Sequence, residues 1–203
     1  MASSRKEQER QKRRELLLEA ATRIFGRRPF DEATMQEVAA EAEIGMQGLY
    51  EHFPSKQELY EQVMLRRAEA FQAAARAALD PSSAPLERLR TLARVYALHF
   101  QENPYSLPSF IRDRVQADWG FDSRFRSQAN AIYDAERDHL KGILAAAVAE
   151  GSLRDLGTDF LAQLCLGVLE ASLHTSFHRT PREDVETCVD RALACILHGA
   201  ARP

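Results

Sequence analysis

The stretch EVAAEAEIGMQGLYEHFPSKQEL, from Glu37 to Leu59, decides the fold, because it reads as two short helices joined by a very tight turn. Val38, Ala39 and Ile44 are spaced so that the two helices pack at a steep angle, and the small side chain of Ala39 lets their backbones approach. The second helix is predicted to run from Gly45 to about Phe53 and to end before a proline. Two helices with this connection form a helix-turn-helix.

Helix-start signals on either side of this stretch support the same boundaries. The patterns Thr34-x-x-Glu37 and Ser55-x-x-Glu58 are both capping boxes, in which the two side chains bond to each other's backbone N–H groups. The second one predicts a long helix from Ser55 to about Leu79. Upstream, apolar residues with helical spacing predict a first helix from about Glu9 to Phe25, so the head of the protein is predicted to contain three helices and the start of a fourth.

The remainder of the chain also has apolar residues three to four positions apart, without the sustained alternation that marks strands. Breaks at proline, glycine and short polar runs separate five further helical segments. The sequence therefore predicts an all-α protein of about nine helices. The five additional helices are predicted at Leu86–Glu102, Pro104–Ala117, Phe121–Glu150, Asp159–His178 and Arg182–His198.

Bulk composition excludes some classes of protein. Of the 203 residues, 45% are hydrophobic and 28% charged, which is ordinary for a globular protein. No uncharged apolar run approaches the ~18 residues of a membrane span, and the basic N-terminus is not followed by the apolar core of a signal peptide. The three cysteines are odd in number and lie in helical patterns, which indicates free thiols in a reducing cytoplasm. We expect a cytoplasmic protein without a membrane partner.

Charge is unevenly distributed in the first third of the chain. Residues 1–30 hold nine Lys and Arg against four Glu, whereas residues 31–61 hold eight acids against Lys56 alone. The net charge of the chain is −3, so the totals do not indicate a nucleic-acid binder. We therefore assign non-specific attraction for phosphate to the basic N-terminal arm and to Arg27 and Arg28.

The second helix of the helix-turn-helix is predicted to project its N-terminal residues into a major groove. Met46, Gln47 and Gly48 are the residues expected there: Met46 can pack on a thymine methyl, Gln47 can pair with adenine, and Gly48 allows close backbone approach. Phosphate contacts that fix the register are expected from the next residues. The full set of predicted DNA contacts is Thr34, Met46, Gln47, Gly48, Tyr50, His52 and Lys56.

The head resembles the DNA-binding domain of the TetR/AcrR family of bacterial repressors. The resemblance rests on L-x-A-A-x-x-x-F in the first helix, T-M-x-x-V-A in the second, and A-x-I-x-x-x-x-L-Y-x-H-F followed by S-K-x-x-L. It covers about residues 9–67. It implies a basic flexible arm at residues 1–9, a DNA-binding domain at 10–70 with its helix-turn-helix at about 33–52, and a helical ligand-binding and dimerisation domain at 71–203.

The resemblance also implies a homodimer that binds a double-stranded DNA operator and a small-molecule effector. The last two long helices of the family pair with their counterparts in a four-helix bundle, which makes their apolar stripes the expected interface. Aromatic and imidazole groups in the middle helices are candidates for a ligand pocket, although such groups also form ordinary cores. The candidate pocket residues are His99, Tyr105, Phe110, Trp119, Tyr133 and His139; the candidate interface residues are Leu161, Cys165, Val168, Ser172, Val185, Cys188, Val189, Ala192 and Ile196.

Three positions depart from the family pattern. Glu43 stands where the turn usually has glycine, and a left-handed backbone there costs ~1 kcal/mol more for Glu than for Gly. Gln47 replaces the common Gly or Pro, and Gly48 replaces a Ser or Thr whose hydroxyl would contact DNA. These departures and the acidic surroundings keep a second interpretation open, a helical small-molecule-binding or interaction protein whose head has lost DNA binding.

Other candidate sites carry weaker patterns. Glu170, His174 and His178 lie four residues apart and could offer ligands to a metal, but a polar stripe on an interface or pocket helix is the more common outcome. Cys188 and Cys195 could be a redox pair, but they are better explained as small packing residues at the dimer interface. No nucleophile elbow, phosphate loop or zinc-protease motif is present in the sequence. We expect no enzymatic activity, metal or cofactor, and interpret the chain as a ligand-responsive transcriptional regulator, most simply a repressor.

Overall fold

A computed structural model describes residues 2–101, 128–177 and 180–200, and these contain eight helices and no strand. The helix predicted at Pro104–Ala117 lies outside the described residues. The helices are α1 (Ala2–Arg27), α2 (Met35–Glu41), α3 (Met46–His52), α4 (Lys56–Ala78), α5 (Pro85–Gln101), α6 (Gln128–Ala149), α7 (Thr158–Phe177) and α8 (Val185–Ala200). The all-α class predicted from the sequence is confirmed.

The chain divides into two compact units, and the division falls within α4, between Arg67 and Ala68. In the first unit α1 packs on α2 and α2 packs on α3. Their shared core is one apolar cluster that also includes the first turns of α4. It is composed of Leu17, Leu18, Ala20, Ala21, Phe25, Ala33, Met35, Val38, Ala39, Leu49, Phe53, Leu59, Tyr60 and Val63.

In the second unit α5, α7 and α8 pack on one another. Polar side chains join the last two helices: Ser172 Oγ donates to the carbonyl oxygen of Cys188 at 2.8 Å, and Arg191 donates both to the carbonyl oxygen of Ser172 at 3.0 Å and to Glu183 at 2.6 Å. Ion pairs of Arg90 with Asp190 and of Arg94 with Glu186 link α5 to α8 at the surface. The pairing of α7 with α8 is therefore extensive within one chain.

Residues 2–9, predicted as a flexible arm, are helical instead, since α1 begins at Ala2. The segment is rich in Glu, Gln, Lys and Arg, which favour helix on their own. Residues 2–13 are called the N-terminal extension of α1; its side chains 5–13 are exposed and do not belong to the apolar cluster.

Candidate nucleic-acid interface

The start of α2 is a complete capping box. Thr34 Oγ1 accepts from the Glu37 backbone N–H at 3.2 Å, and Glu37 Oε2 accepts from the Thr34 backbone N–H at 2.9 Å and from its hydroxyl at 3.0 Å. These hydrogen bonds, the backbone one foremost, lower the pKa of Glu37. Thr34, predicted as a DNA contact, thus uses its hydroxyl within the cap.

The turn between α2 and α3 is a Schellman motif with a glutamate in the left-handed position. The Ile44 N–H donates to the Ala39 carbonyl oxygen at 3.0 Å, and the Glu43 N–H donates to the Ala40 carbonyl oxygen at 3.1 Å. This pair of bonds requires a positive φ at the residue that follows the helix cap, and Glu43 has φ 55°. Glu43 is the only non-glycine residue with positive φ in the described ranges. The turn forms despite the departure from glycine.

The seven-residue α3 presents Gln47, Tyr50 and Glu51 to solvent, while Leu49 is fully buried beneath them. Gln47 and Tyr50 are therefore exposed, Tyr50 to 48%, and their contacts with DNA stay predictions. Glu51 was not among the predicted site residues, although its spacing from Gln47 places both on one face of the helix.

Two of the predicted base-reading residues are half-buried rather than exposed. Met46 packs against the apolar cluster of the first unit, because its flexible side chain can reach back over the turn. At Gly48 an added Cβ would lie 3.0 Å from Ile44 Cγ2, so the glycine allows the turn to pack on α3. Of the three N-terminal residues predicted to enter the groove, Gln47 alone is exposed.

Lys56 is held by the loop between α1 and α2. Its Nζ lies 4.5 Å from the centre of the Phe30 ring and 3.4 Å from the carbonyl oxygen of Asp31. A cation over an aromatic face is attracted to it, so the ammonium group of Lys56 is positioned before any ligand binds. A phosphate contact by Lys56 remains a prediction.

His52 ends α3 beside the arginines of α1. Burial lowers the pKa of His52, the charge of Arg10 lowers it further, and Arg14 and Arg13 act in the same direction, while Glu51 opposes them. The guanidinium carbon of Arg14 lies 5.0 Å from the centre of the Phe53 ring, directly after α3. The base of the N-terminal extension is therefore next to the C-terminal end of the exposed helix.

Arginines of α1 and of the loop that follows it neutralise part of the acidic surface of α2. Arg23 pairs with Glu41 at 2.6 Å, and Arg28 pairs with Glu37 at 3.0 Å. Arg28 is thus already engaged with an acid, although it was predicted to meet phosphate. Within the described residues Arg5, Lys6, Lys12 and Arg27 form no ion pair, and three of these cations, Arg5, Lys6 and Arg27, lie toward the ends of α1.

The second unit contains an aromatic cluster built from three helices. Phe71 lies 5.2 Å from His99 and 5.9 Å from Tyr133, measured between ring centres, and the His99 Nε2 is 3.1 Å from the Tyr133 hydroxyl. Two of the predicted pocket residues are therefore together. His139 lies further along α6, 3.7 Å from Glu136. Tyr105, Phe110 and Trp119 lie outside the described residues.

The residues predicted for a dimer interface are mostly buried inside a single chain, so they do not form a free surface. This correction applies to Leu161, Cys165, Ser172, Val185, Cys188, Val189, Ala192 and Ile196; Val168 is half-buried. Their helical stripes were identified correctly, but α5, α7 and α8 bury them against one another. The outer face of α7 is what remains exposed, with Phe160 59% exposed and Gly167 and Ala171 also open to solvent.

The stripe considered for a metal is divided between core and surface. Glu170 is buried and accepts a hydrogen bond from the Tyr96 hydroxyl at 2.8 Å, whereas His174 is exposed. His178 lies outside the described residues. Among the residues that the structure describes, no three His, Cys, Asp or Glu side chains are arranged to bind a metal.

The three cysteines differ in burial, and α7 is long and apolar. Cys165 and Cys188 are buried within the single chain and Cys195 is exposed, so packing of Cys195 at a dimer interface stays a prediction. Burial raises the pKa of the Cys165 thiol to about 11. By length and composition alone, α7 is the one described helix that could cross a membrane; the core helix of a globular protein has the same properties, and 44% of the relevant window is buried.

Comparison with known proteins places these features among bacterial regulators. Residues 17–63 match the family model described as bacterial regulatory proteins, tetR family. The nucleoid occlusion factor SlmA of Shewanella pealeana is 26% identical over 162 residues, which cover 79% of this chain and 81% of the relative. The HTH-type transcriptional activator FasR of Mycolicibacterium smegmatis is 36% identical over 87 residues, 43% of this chain and 40% of the relative.

A solved structure extends the likeness in fold to nearly the whole chain. The ketosteroid transcriptional regulator KstR2 of Mycobacterium tuberculosis superposes with a TM-score of 0.73 at 24% identity, covering 94% of this chain and 96% of that one. At this identity the likeness establishes the fold. The match therefore supports a helical second unit of the same type beyond the helix-turn-helix.

Proposed function

Because the chain belongs to the TetR family of bacterial regulatory proteins and is a DNA-binding regulator, we propose that it acts as a homodimeric repressor. A palindromic operator is the proposed DNA partner, and a small molecule bound in the second unit releases it. The cytoplasm is the proposed location. The observation that carries the proposal is the exposed pair Gln47 and Tyr50 on α3, beside the cationic base of the N-terminal extension.

The two exposed residues are proposed to contact different parts of the DNA, Gln47 a base and Tyr50 a phosphate. A glutamine amide can pair with the N6 and N7 edge of adenine, whereas a tyrosine hydroxyl can donate to a phosphate and fix the register of the helix. Arg10 and Arg13, on the same side of the unit as His52, supply attraction for the backbone that is independent of sequence. Base recognition is thus assigned to α3, and electrostatic attraction for the DNA backbone to α1.

Release by a ligand needs a mechanical link, and α4 supplies the covalent one, because it begins in the first unit and ends in the second. A ligand that prefers one conformation of the second unit would change the separation of two recognition helices in a dimer. By linkage, operator DNA would then lower the affinity for the ligand by the same factor. The cluster of Phe71, His99 and Tyr133 is the proposed place for ligand contact, because Phe71 lies on α4.

The dimer face that we propose is the exposed stripe of α7, which replaces the buried residues predicted from the sequence. Phe160, Gly167 and Ala171 share that stripe with Leu164, at intervals of three or four residues. Glycine and alanine let two helices approach closely, and a large apolar side chain such as Phe160 gains free energy when a partner covers it.

The decisive experiment is fluorescence anisotropy of the full chain with the DNA beside its own gene, at two salt concentrations. Tight, salt-sensitive binding that exceeds binding to random DNA supports the proposal, provided that Gln47→Ala and Tyr50→Ala each weaken it. Gln72 lies half-buried on α4 in the second unit, and Gln72→Ala is therefore a control that removes an amide outside the helix-turn-helix. If no sequence from the whole genome is preferred over random DNA, the head has lost DNA binding and the alternative interpretation stands.

A second candidate function follows from the SlmA relatives, which are nucleoid occlusion factors by name. A factor of that kind would prevent septa from forming over the nucleoid. Microscopy of a deletion strain with blocked DNA segregation separates the two candidates. Septa over nucleoids favour the occlusion factor, and changed transcription of neighbouring genes with normal septa favours the regulator. The sign of that change also distinguishes repression from activation, the activity in the name of FasR.

A further inference from the structure

We propose that Glu51 is a positioning residue that orients the amide of Gln47 for base recognition; this role rests on the proposed DNA-reading function. The Gln47 Nε2 donates a hydrogen bond to the Glu51 Oε1 at 3.2 Å. Both side chains are exposed and lie one turn apart on α3. Glu51 is therefore the neighbour that the amide of Gln47 contacts on the reading face.

The chemistry of the two groups makes this contact selective for one orientation. An amide has a donating end and an accepting end, whereas an ionised carboxylate only accepts. The nitrogen of Gln47 must therefore face Glu51, because the flipped amide would place two oxygens against each other. Since the nitrogen has two hydrogens, the edge formed by its other N–H and the carbonyl oxygen remains available. Adenine requires that combination of one donor and one acceptor.

The same carboxylate weakens binding to every sequence. Its negative charge lies on the exposed face of α3, where it would repel phosphates. The same charge raises the pKa of the neighbouring His52, against the effects of burial and Arg10. Glu51 thus lowers the affinity for every DNA sequence and increases the discrimination between bases. A residue with only a structural role in α3 would alter affinity without altering base preference.

The test begins with the full chain selecting its operator from random duplex DNA. Dissociation constants are then measured for that operator and for each single-base variant, with wild type, Glu51→Ala, Gln47→Ala and the double variant. The matched control is Glu61→Ala, because Gln57 Nε2 donates to Glu61 Oε1 at 3.0 Å with the same spacing on α4. That control removes an equal charge and an equivalent side-chain hydrogen bond outside the recognition helix.

We expect Gln47→Ala to relax a preference for adenine at one position of each half-site. Glu51→Ala should lower that same preference about threefold to tenfold and tighten binding to random DNA about twofold or more. In the Gln47→Ala background, Glu51→Ala should leave base preference unchanged, and Glu61→Ala should leave it unchanged in the wild type.

Three results would overturn this role. They are an unchanged adenine preference in Glu51→Ala, an equal loss of preference in Glu61→Ala, and a preference at the Gln47 position for a base other than adenine. Failure of the wild type to select any sequence would be a different result. It would overturn the proposed function itself, and the role of Glu51 with it.

Discussion

Glu43 and Gly151 occupy the same position in two helix ends of the same geometry, and only one of them is a glycine. At the end of α2, the backbone N–H groups of Glu43 and Ile44 donate hydrogen bonds back to carbonyl oxygens of that helix. The N–H groups of Gly151 and Ser152 donate back to α6 in the same pattern. Both residues have a positive φ, 55° for Glu43 and 85° for Gly151. The helix-turn-helix thus contains a conformational cost that the second unit avoids.

Replacing the glutamate should remove that cost. We predict that Glu43→Gly stabilises the first unit by ~1 kcal/mol, because glycine enters the left-handed region without the clash of a Cβ atom. Hydrogen exchange of the α2 and α3 amides in the full chain should slow about fivefold. Glu43→Ala retains the Cβ atom and should show no such gain, and Gly151→Ala should destabilise the end of α6. Equal exchange rates in wild type and Glu43→Gly would show that the left-handed backbone of Glu43 does not destabilise the first unit.

The cations near α3 should determine the salt dependence of DNA binding. We predict that Arg10→Gln and Arg13→Gln each weaken binding to operator and random DNA alike, because both arginines are exposed beside the C-terminal end of α3. The slope of log K against log salt should decrease by ~1 for each phosphate contact that is lost. Arg76→Gln, at an exposed position of α4 in the second unit, is the control. A slope that stays constant in both α1 variants would place the phosphate contacts elsewhere.

Local signals in the sequence predicted the head of the protein well, whereas burial by distant segments was harder to predict. The Thr34 cap and the turn at Glu43 depend on residues within one or two turns, so their patterns are legible in a single sequence. The half-buried position of Met46 depends on the whole apolar cluster. The stripes with Cys165 and Val189 were recognised as apolar, but periodicity does not say whether a neighbouring helix or a partner subunit covers such a stripe.

His52 should make both stability and DNA binding depend on pH. Burial and the charges of Arg10, Arg14 and Arg13 lower the pKa of His52 in the folded protein below its ordinary value of 6.5, and the opposing charge of Glu51 does not reverse that shift. The unfolded chain therefore binds more protons as pH falls below about 6.5, and stability decreases until the folded-state pKa is passed. A DNA phosphate near His52 would favour the protonated form of its side chain. The affinity for the operator should therefore rise as the pH falls through the same range.

The measurement for His52 is anisotropy and thermal unfolding from about pH 7.5 to about pH 5, compared between wild type and His52→Gln. The variant should lose most of both pH dependences, because glutamine keeps a polar side chain without a titration. His174→Gln, at an exposed position of α7 in the second unit, is the matched control and should behave as wild type. Identical pH profiles for wild type and His52→Gln would show that other groups are responsible.

Two glycines offer a direct test of the proposed dimer face. Gly167 on α7 and Gly142 on α6 are both exposed, and a Cβ added at either one meets nothing within 4 Å, so the isolated chain accommodates a side chain at both. Each substitution by arginine also replaces a helical glycine, which favours the helix by about 1 kcal/mol. We predict that Gly167→Arg yields a folded monomer, because a charged side chain would prevent close approach along the stripe of Phe160 and Ala171. Gly142→Arg should remain a dimer in sedimentation equilibrium. A dimer of unchanged affinity in Gly167→Arg would exclude the outer face of α7 as the interface, and loss of the dimer in Gly142→Arg alone would transfer that role to α6.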